Sequence, residues 1–172
     1  VTLLNHQGGE RLTGIEVGDT SQRNFGIAVD IGTTTVSAQL FDLHSAEPIA
    51  QSSDYNAQVS CGEDVISRIV YASKGKNLAR LQELVASTIN GLIFDLLKKS
   101  NCSKSDITSM AVAGNTTMTH LFLGLDPKYI REDPYIPTVT LCPLVRAKDL
   151  GIEVDEGVYI HLFPGRASYV GG

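Results

Sequence analysis

The sequence predicts an α/β domain built on a mixed sheet, in which a three-strand meander precedes alternating helices and strands. Three observations predict it. Ile27, Val29 and Ile31 alternate with Ala28 and Asp30, and Val36, Ala38 and Leu40 repeat the alternation, giving two strands joined by a tight loop. Residues 77–100, "NLARLQELVASTINGLIFDLLKKS", carry apolar side chains at three- and four-residue spacing, the period of an amphipathic helix. "DITSMAVAG" running directly into "NTTMTHLFLGL" reads as a buried strand feeding a short helix.

Taken in order, residues 1–24 are rich in Gly and polar side chains and read as a linker or the tail of a preceding domain, with one weak strand at Leu12–Val17. The domain proper spans 25–172. After the paired strands, "PIAQSSDY" supplies the third strand of the meander. In "GEDVISRIVYAS", Val65, Ile66, Ile69 and Val70 share a helical face, and Glu63 and Asp64 sit where the helix dipole favours carboxylates. The long helix presents Leu78, Leu81, Leu84, Val85, Ile89 and Leu92 on one face and closes with Lys98 and Lys99. Asn115 or Thr116 caps the helix that follows "DITSMAVAG". Four prolines within residues 126–143 exclude a long helix there. "LVRAKDLG" forms a short helix ending at Gly151, and "GVYIHLF" is the last strand.

Composition narrows the function classes. A net charge of −5 with no basic run disfavours a nucleic-acid surface. Apolar stretches break well before the ~18 residues a membrane span needs. Cys61, Cys102 and Cys142 lie far apart, without the paired spacing of a zinc or iron–sulfur site, and a reducing cytoplasm is expected. The scattered tyrosines form no stacking platform, and His120 and His161 read as packed or surface histidines rather than ligands.

"DIGTTT", residues 30–35, holds residue types that filling a core does not require. A turn between strands can aim successive backbone N–H groups at one anion, and Gly32 lets that anion approach the backbone. Thr33, Thr34 and Thr35 add hydroxyl donors. Asp30 would repel a bare phosphate but suits a bridging Mg²⁺, which takes carboxylate, water and phosphate oxygens together. The residues therefore fit a Mg²⁺–nucleoside triphosphate cradle. The alternative is a threonine-rich hairpin with a turn aspartate, as β-propensity alone would give.

"GIAVDIGTTTVSAQLFDL" resembles the first phosphate motif of the actin, heat-shock chaperone and sugar-kinase superfamily. Together with "NAQVSCGEDVISRI" and "AGNTTMTHLFLGLDP", it resembles the ATP-dependent reductive activators of corrinoid proteins over residues 24–172. The resemblance implies a ribonuclease H-like sheet forming one lobe of an actin-like ATPase fold. It also implies ATP and Mg²⁺ as cofactors, a corrinoid protein as partner and a homodimer in the intact molecule. A [2Fe-2S] cluster is implied only in a preceding domain, which passes an electron to Co(II) corrinoid while ATP drives the uphill step.

Carried over by residue, Asp30 would hold Mg²⁺ through water, and Gly32, Thr33, Thr34 and Thr35 the β- and γ-phosphates. Gly114, Asn115 and Thr116 would form a strand-to-helix turn facing the same cleft, offering N–H groups to phosphate or to an attacking water. Gly171 and Gly172 would begin a second phosphate loop. Asn56, Gln58, Gly62, Glu63 and Asp64 match a family pattern whose chemistry their residue types do not declare. Either Glu63 or Asp64 orients water or Mg²⁺, or both merely compensate a helix dipole. This chain is expected to be one lobe of a larger protein, binding nucleotide weakly and catalysing nothing alone. Two other functions compete. A sugar or carboxylate kinase would use Asp64 to orient the substrate hydroxyl, and an actin-like interaction module would catalyse nothing.

Overall fold

The computed structural model describes residues 2–6, 9–15, 17–20 and 23–164. Gly171 and Gly172, expected to open a second phosphate loop, lie outside the described residues. The chain runs β1 (Thr2–His6), β2 (Gly9–Gly14), β3 (Phe25–Ile31), β4 (Thr35–Asp42), β5 (Pro48–Tyr55), α1 (Val65–Ala72) and α2 (Asn77–Ser100). It continues through β6 (Ile107–Gly114), α3 (Thr116–Leu123), α4 (Lys128–Arg131), β7 (Val145–Arg146) and β8 (Tyr159–Leu162). Strands β3 to β8 form one six-stranded sheet in the order β5-β4-β3-β6-β8-β7. The pairs β5/β4, β4/β3 and β8/β7 are antiparallel, whereas β3/β6 and β6/β8 are parallel. A meander extended by alternating helices and strands is the expected ribonuclease H-like lobe of an actin-like fold.

Chain direction explains where the helices lie. The β5-to-β6 and β6-to-β8 connections step the same way across the sheet, and right-handed crossovers then put α2 and α3 on one face. Ile27, Val29 and Ile31 on β3 and Val36, Ala38 and Leu40 on β4 point to that face and are buried. They meet Leu81, Val85, Ile89, Leu92 and Leu96 of α2, each at most 2% exposed. Full burial of such side chains contributes about 1.5–3 kcal/mol apiece. Helix α2 keeps the expected span and stops at Asn101, whose left-handed φ of 55° turns the chain out. The opposite face of the sheet is shallow and lined by small or polar side chains, among them Ala28, Asp30, Ser37 and Ala113, with Phe163 at its edge.

Four elements differ from expectation. The N-terminal segment holds an antiparallel hairpin, β1 with β2, in place of a single strand at Leu12–Val17. Its sequence signal is the Gly8-Gly9 pair between two β-prone runs. The proposed helix before Gly151 is a two-residue edge strand, β7, followed by a 3-10 turn at Ala147–Leu150 that ends at Gly151. A further 3-10 turn, Ala57–Cys61, follows β5. In α1 the apolar stripe is incomplete: Ile69 is buried but Ile66 is 38% exposed, and the fully buried large side chain is Arg68. No helix among the described residues is long and apolar enough to cross a membrane.

Candidate functional site

The candidate site lies at the carboxyl ends of the parallel strands β3 and β6, where open α/β sheets place their ligands. Ile31 pairs with Val36 across the hairpin and with Gly114 across the parallel ladder, so the 32–35 loop sits beside the start of α3. Asn115 caps that helix, its side-chain oxygen accepting from the Met118 N–H at 2.9 Å. The same side chain's Nδ2 donates to Thr33 Oγ1 at 3.3 Å. Loop and helix start, far apart in sequence, are thus brought together. Thr34 and Thr35 are exposed, Gly32 and Thr33 half-buried, and Thr116 buried.

The loop is held from behind by its carbonyls. Asn56 Nδ2 donates to the Gly32 carbonyl at 2.9 Å. Arg68 Nη2 donates to the Thr33 carbonyl at 2.6 Å. The Asn56 backbone N–H donates to the Thr34 carbonyl at 2.8 Å. Because a trans peptide sets N–H opposite C=O, three inward carbonyls turn the N–H groups of Thr33, Thr34 and Thr35 away from the interior. Successive amides aimed one way make an anion-binding concavity. Gly32 has a second reason to lack a side chain: a Cβ there would stand 2.5 Å from the Thr35 carbonyl oxygen. Gly114 is similarly confined, with the Ile31 carbonyl oxygen 3.1 Å from where its Cβ would be.

Sequence reasoning left Asn56, Gln58 and Gly62 without a chemistry and missed Arg68. The structure joins them in one buried polar cluster. Arg68 Nη1 donates to Gln58 Oε1 at 3.1 Å and approaches Met118 Sδ at 3.3 Å, while Nε donates to the Gly62 carbonyl at 2.9 Å. Gln58 Nε2 in turn donates to the Leu81 carbonyl of α2 at 2.9 Å. A Cβ on Gly62 would meet Ser67 Oγ at 2.5 Å and Arg68 Cγ at 3.1 Å, so glycine makes room for the arginine stem. Burial pulls the Arg68 guanidinium below its usual pKa, partly opposed by Cys61 and Asp64. The available signal was misleading: in residues 56–61 polar Asn56, Gln58 and Ser60 alternate with Ala57, Val59 and Cys61 as in a strand, yet the segment folds as a 3-10 turn that buries Gln58.

The remaining candidates fall in different places. Asp30, next to last in β3, lies on the open face, exposed, and its carboxylate has no hydrogen-bond or ion-pair partner among the described residues. An exposed, unengaged carboxylate beside outward amides fits a hydrated divalent cation. Asp64 is occupied instead: it caps α1, accepting from the Ser67 N–H at 2.8 Å while Ser67 Oγ accepts from the Asp64 N–H. Glu63 is exposed just before that cap. His120 is fully buried, with Nδ1 donating to the Thr116 carbonyl at 2.7 Å and Nε2 accepting from the Val139 N–H at 3.4 Å. Burial holds its imidazole below the usual histidine pKa, opposed by the Thr116 carbonyl. It is a packed residue of α3, and His161 is half-buried on β8.

Comparison with known proteins bears on the same segment. The model of a family described as the RACo middle region matches residues 25–172. The corrinoid activation enzyme RamQ of Eubacterium limosum is 34% identical over 148 residues, covering 86% of this chain and 25% of that protein. A solved structure of a reductive activator for corrinoid, iron-sulfur protein superposes with a TM-score of 0.93 at 45% identity, covering 99% of this chain and 27% of that one. An Aquifex aeolicus Ppx/GppA phosphatase is 7% identical with a TM-score of 0.31 over 81% of this chain and 36% of its own, too distant to carry an argument. This chain spans about a quarter of both corrinoid-related proteins, 25% and 27% of their lengths. With the family model covering 148 of the 172 residues, the chain belongs to the RACo middle region family.

Proposed function

We propose that this chain is the nucleotide-binding lobe of a protein that uses ATP to drive the reductive reactivation of a corrinoid protein. In the whole protein, a [2Fe-2S] domain outside this chain would deliver one electron to Co(II) corrinoid, giving Co(I). ATP binding and hydrolysis would supply the drive by shifting the populations of two lobe arrangements. The relatives' corrinoid-activating descriptions support the partner.

The observation that carries the nucleotide reading is the loop whose three carbonyls are tied inward by Asn56 and Arg68, leaving the amides of Thr33, Thr34 and Thr35 outward. The β- and γ-phosphates would lie against those amides and the threonine hydroxyls, with Asn115 fixing the helix start beside them. Asp30 would hold Mg²⁺ through water, and the cation would neutralise phosphate charge. The test is full-length protein carrying Asp30→Ala, assayed for ATP-dependent Co(II) reduction in a corrinoid protein. Loss of ATP dependence is expected, and unchanged reduction would remove Asp30 and this reading of the site.

A further inference from the structure

We infer that Arg68 is the positioning residue of this loop, a buried cation that both aims the loop's amides and stands as the positive charge behind them. The inference rests on the nucleotide reading above and assigns a role to a residue on the far side of the loop from any ligand.

Two observations carry it. The first is donor geometry: Nε, Nη1 and Nη2 together serve the Gly62 carbonyl, Gln58 Oε1, Met118 Sδ and the Thr33 carbonyl. A planar guanidinium can span these acceptors at once, whereas a lysine ammonium presents its donors at one point. Fixing the Thr33 carbonyl fixes the Thr34 N–H on the opposite edge of the same peptide. The second is charge. Arg68 is fully buried, yet none of the ion pairs among the described residues includes it. The carboxylate that acts on it at longer range, Asp64, is committed to the α1 cap at the surface. Buried charges ordinarily have a partner. Here a phosphate on the outer side of the Thr33–Thr34 peptide would face the guanidinium across a single peptide unit.

The experiment measures equilibrium MgATP binding by full-length protein, comparing wild type, Arg68→Ala and Arg68→Lys, with folded fraction followed by circular dichroism. Arg68→Ala should weaken MgATP by about tenfold or more, the loss of roughly one charge-assisted hydrogen bond's worth of orientation. Millimolar guanidinium should restore binding, and equal ammonium should not. A role only in packing predicts no such selectivity, so equal rescue by both ions overturns the inference. If Arg68→Ala does not fold, Arg68→Lys decides. Weakened binding by a folded lysine variant supports the positioning role, and wild-type binding overturns it. Wild type that takes up no nucleotide overturns the nucleotide reading itself. Wild type that binds while Arg68→Ala binds equally overturns only the role of Arg68.

Discussion

Asn56 grips the 32–35 loop twice: its side-chain amide donates to the Gly32 carbonyl at 2.9 Å and its backbone N–H to the Thr34 carbonyl at 2.8 Å. Its Oδ1 also accepts from the Gln58 N–H at 3.0 Å, starting the 3-10 turn that carries Gln58 to Arg68. One fully buried side chain therefore couples the meander to the polar cluster.

Asn56→Ala should for that reason lower stability by about 2 kcal/mol or more, because it strands buried partners rather than removing a matched pair. Urea unfolding checks the magnitude. The backbone bond to Thr34 survives the substitution, so the loop should loosen at Gly32 more than at Thr34. Backbone order parameters resolved by residue would show this as lower values at Thr33 than at Thr35, and equal values would remove Asn56's side chain from the account.

Most of the sheet was legible because its signal is periodic. Val29 and Val36 are buried and Asp30 and Ser37 exposed as the two-residue period requires. The whole of α2 was legible for the same reason at the helical period. Arg68 was not, since a charge on an amphipathic helix ordinarily marks the wet face, and two of its acceptors are backbone carbonyls that carry no residue identity. Of the candidate site, the two segments that the fold brings together, "DIGTTT" and "GNTT", were singled out in the sequence, while the arginine that holds the loop from behind was not. The edge strand β7 escaped notice because two residues are too few to show any period.

Asp64 gives a pH-dependent prediction. The Ser67 backbone N–H, aided by the Ser67 hydroxyl, stabilises its carboxylate and lowers its pKa from the ordinary 3.8, with desolvation opposing. A carboxylate whose folded pKa is depressed stabilises the fold above its unfolded pKa and loses that contribution as pH falls through the folded value. Asp64→Ala should therefore melt earlier than wild type at neutral pH, with the gap closing as pH drops below about 3.8. Thermal melts across that range check it. A fall in ATP turnover by full-length protein beyond the loss of folded molecules would instead give Asp64 the water-orienting role.

Thr117 supplies the converse case, a polar group whose removal should help. It lies in the first turn of α3 and is fully buried, and its hydroxyl has no hydrogen-bond partner among the described residues. A buried hydroxyl without a partner costs about 1–3 kcal/mol in desolvation. Valine keeps the shape and removes the oxygen, so Thr117→Val should raise stability by about 1 kcal/mol, which for a domain of this size is roughly 2–4 °C in Tm. Urea unfolding with an unchanged m-value would confirm that the gain arises in the folded state. Destabilisation would mean that the hydroxyl finds a partner in solution. A stabilised variant that binds MgATP more weakly would be the more telling outcome, because Asn115 sets this same helix turn against Thr33. It would show the unsatisfied oxygen to be retained for the ligand-bound state, stability given up at a site for what the site does.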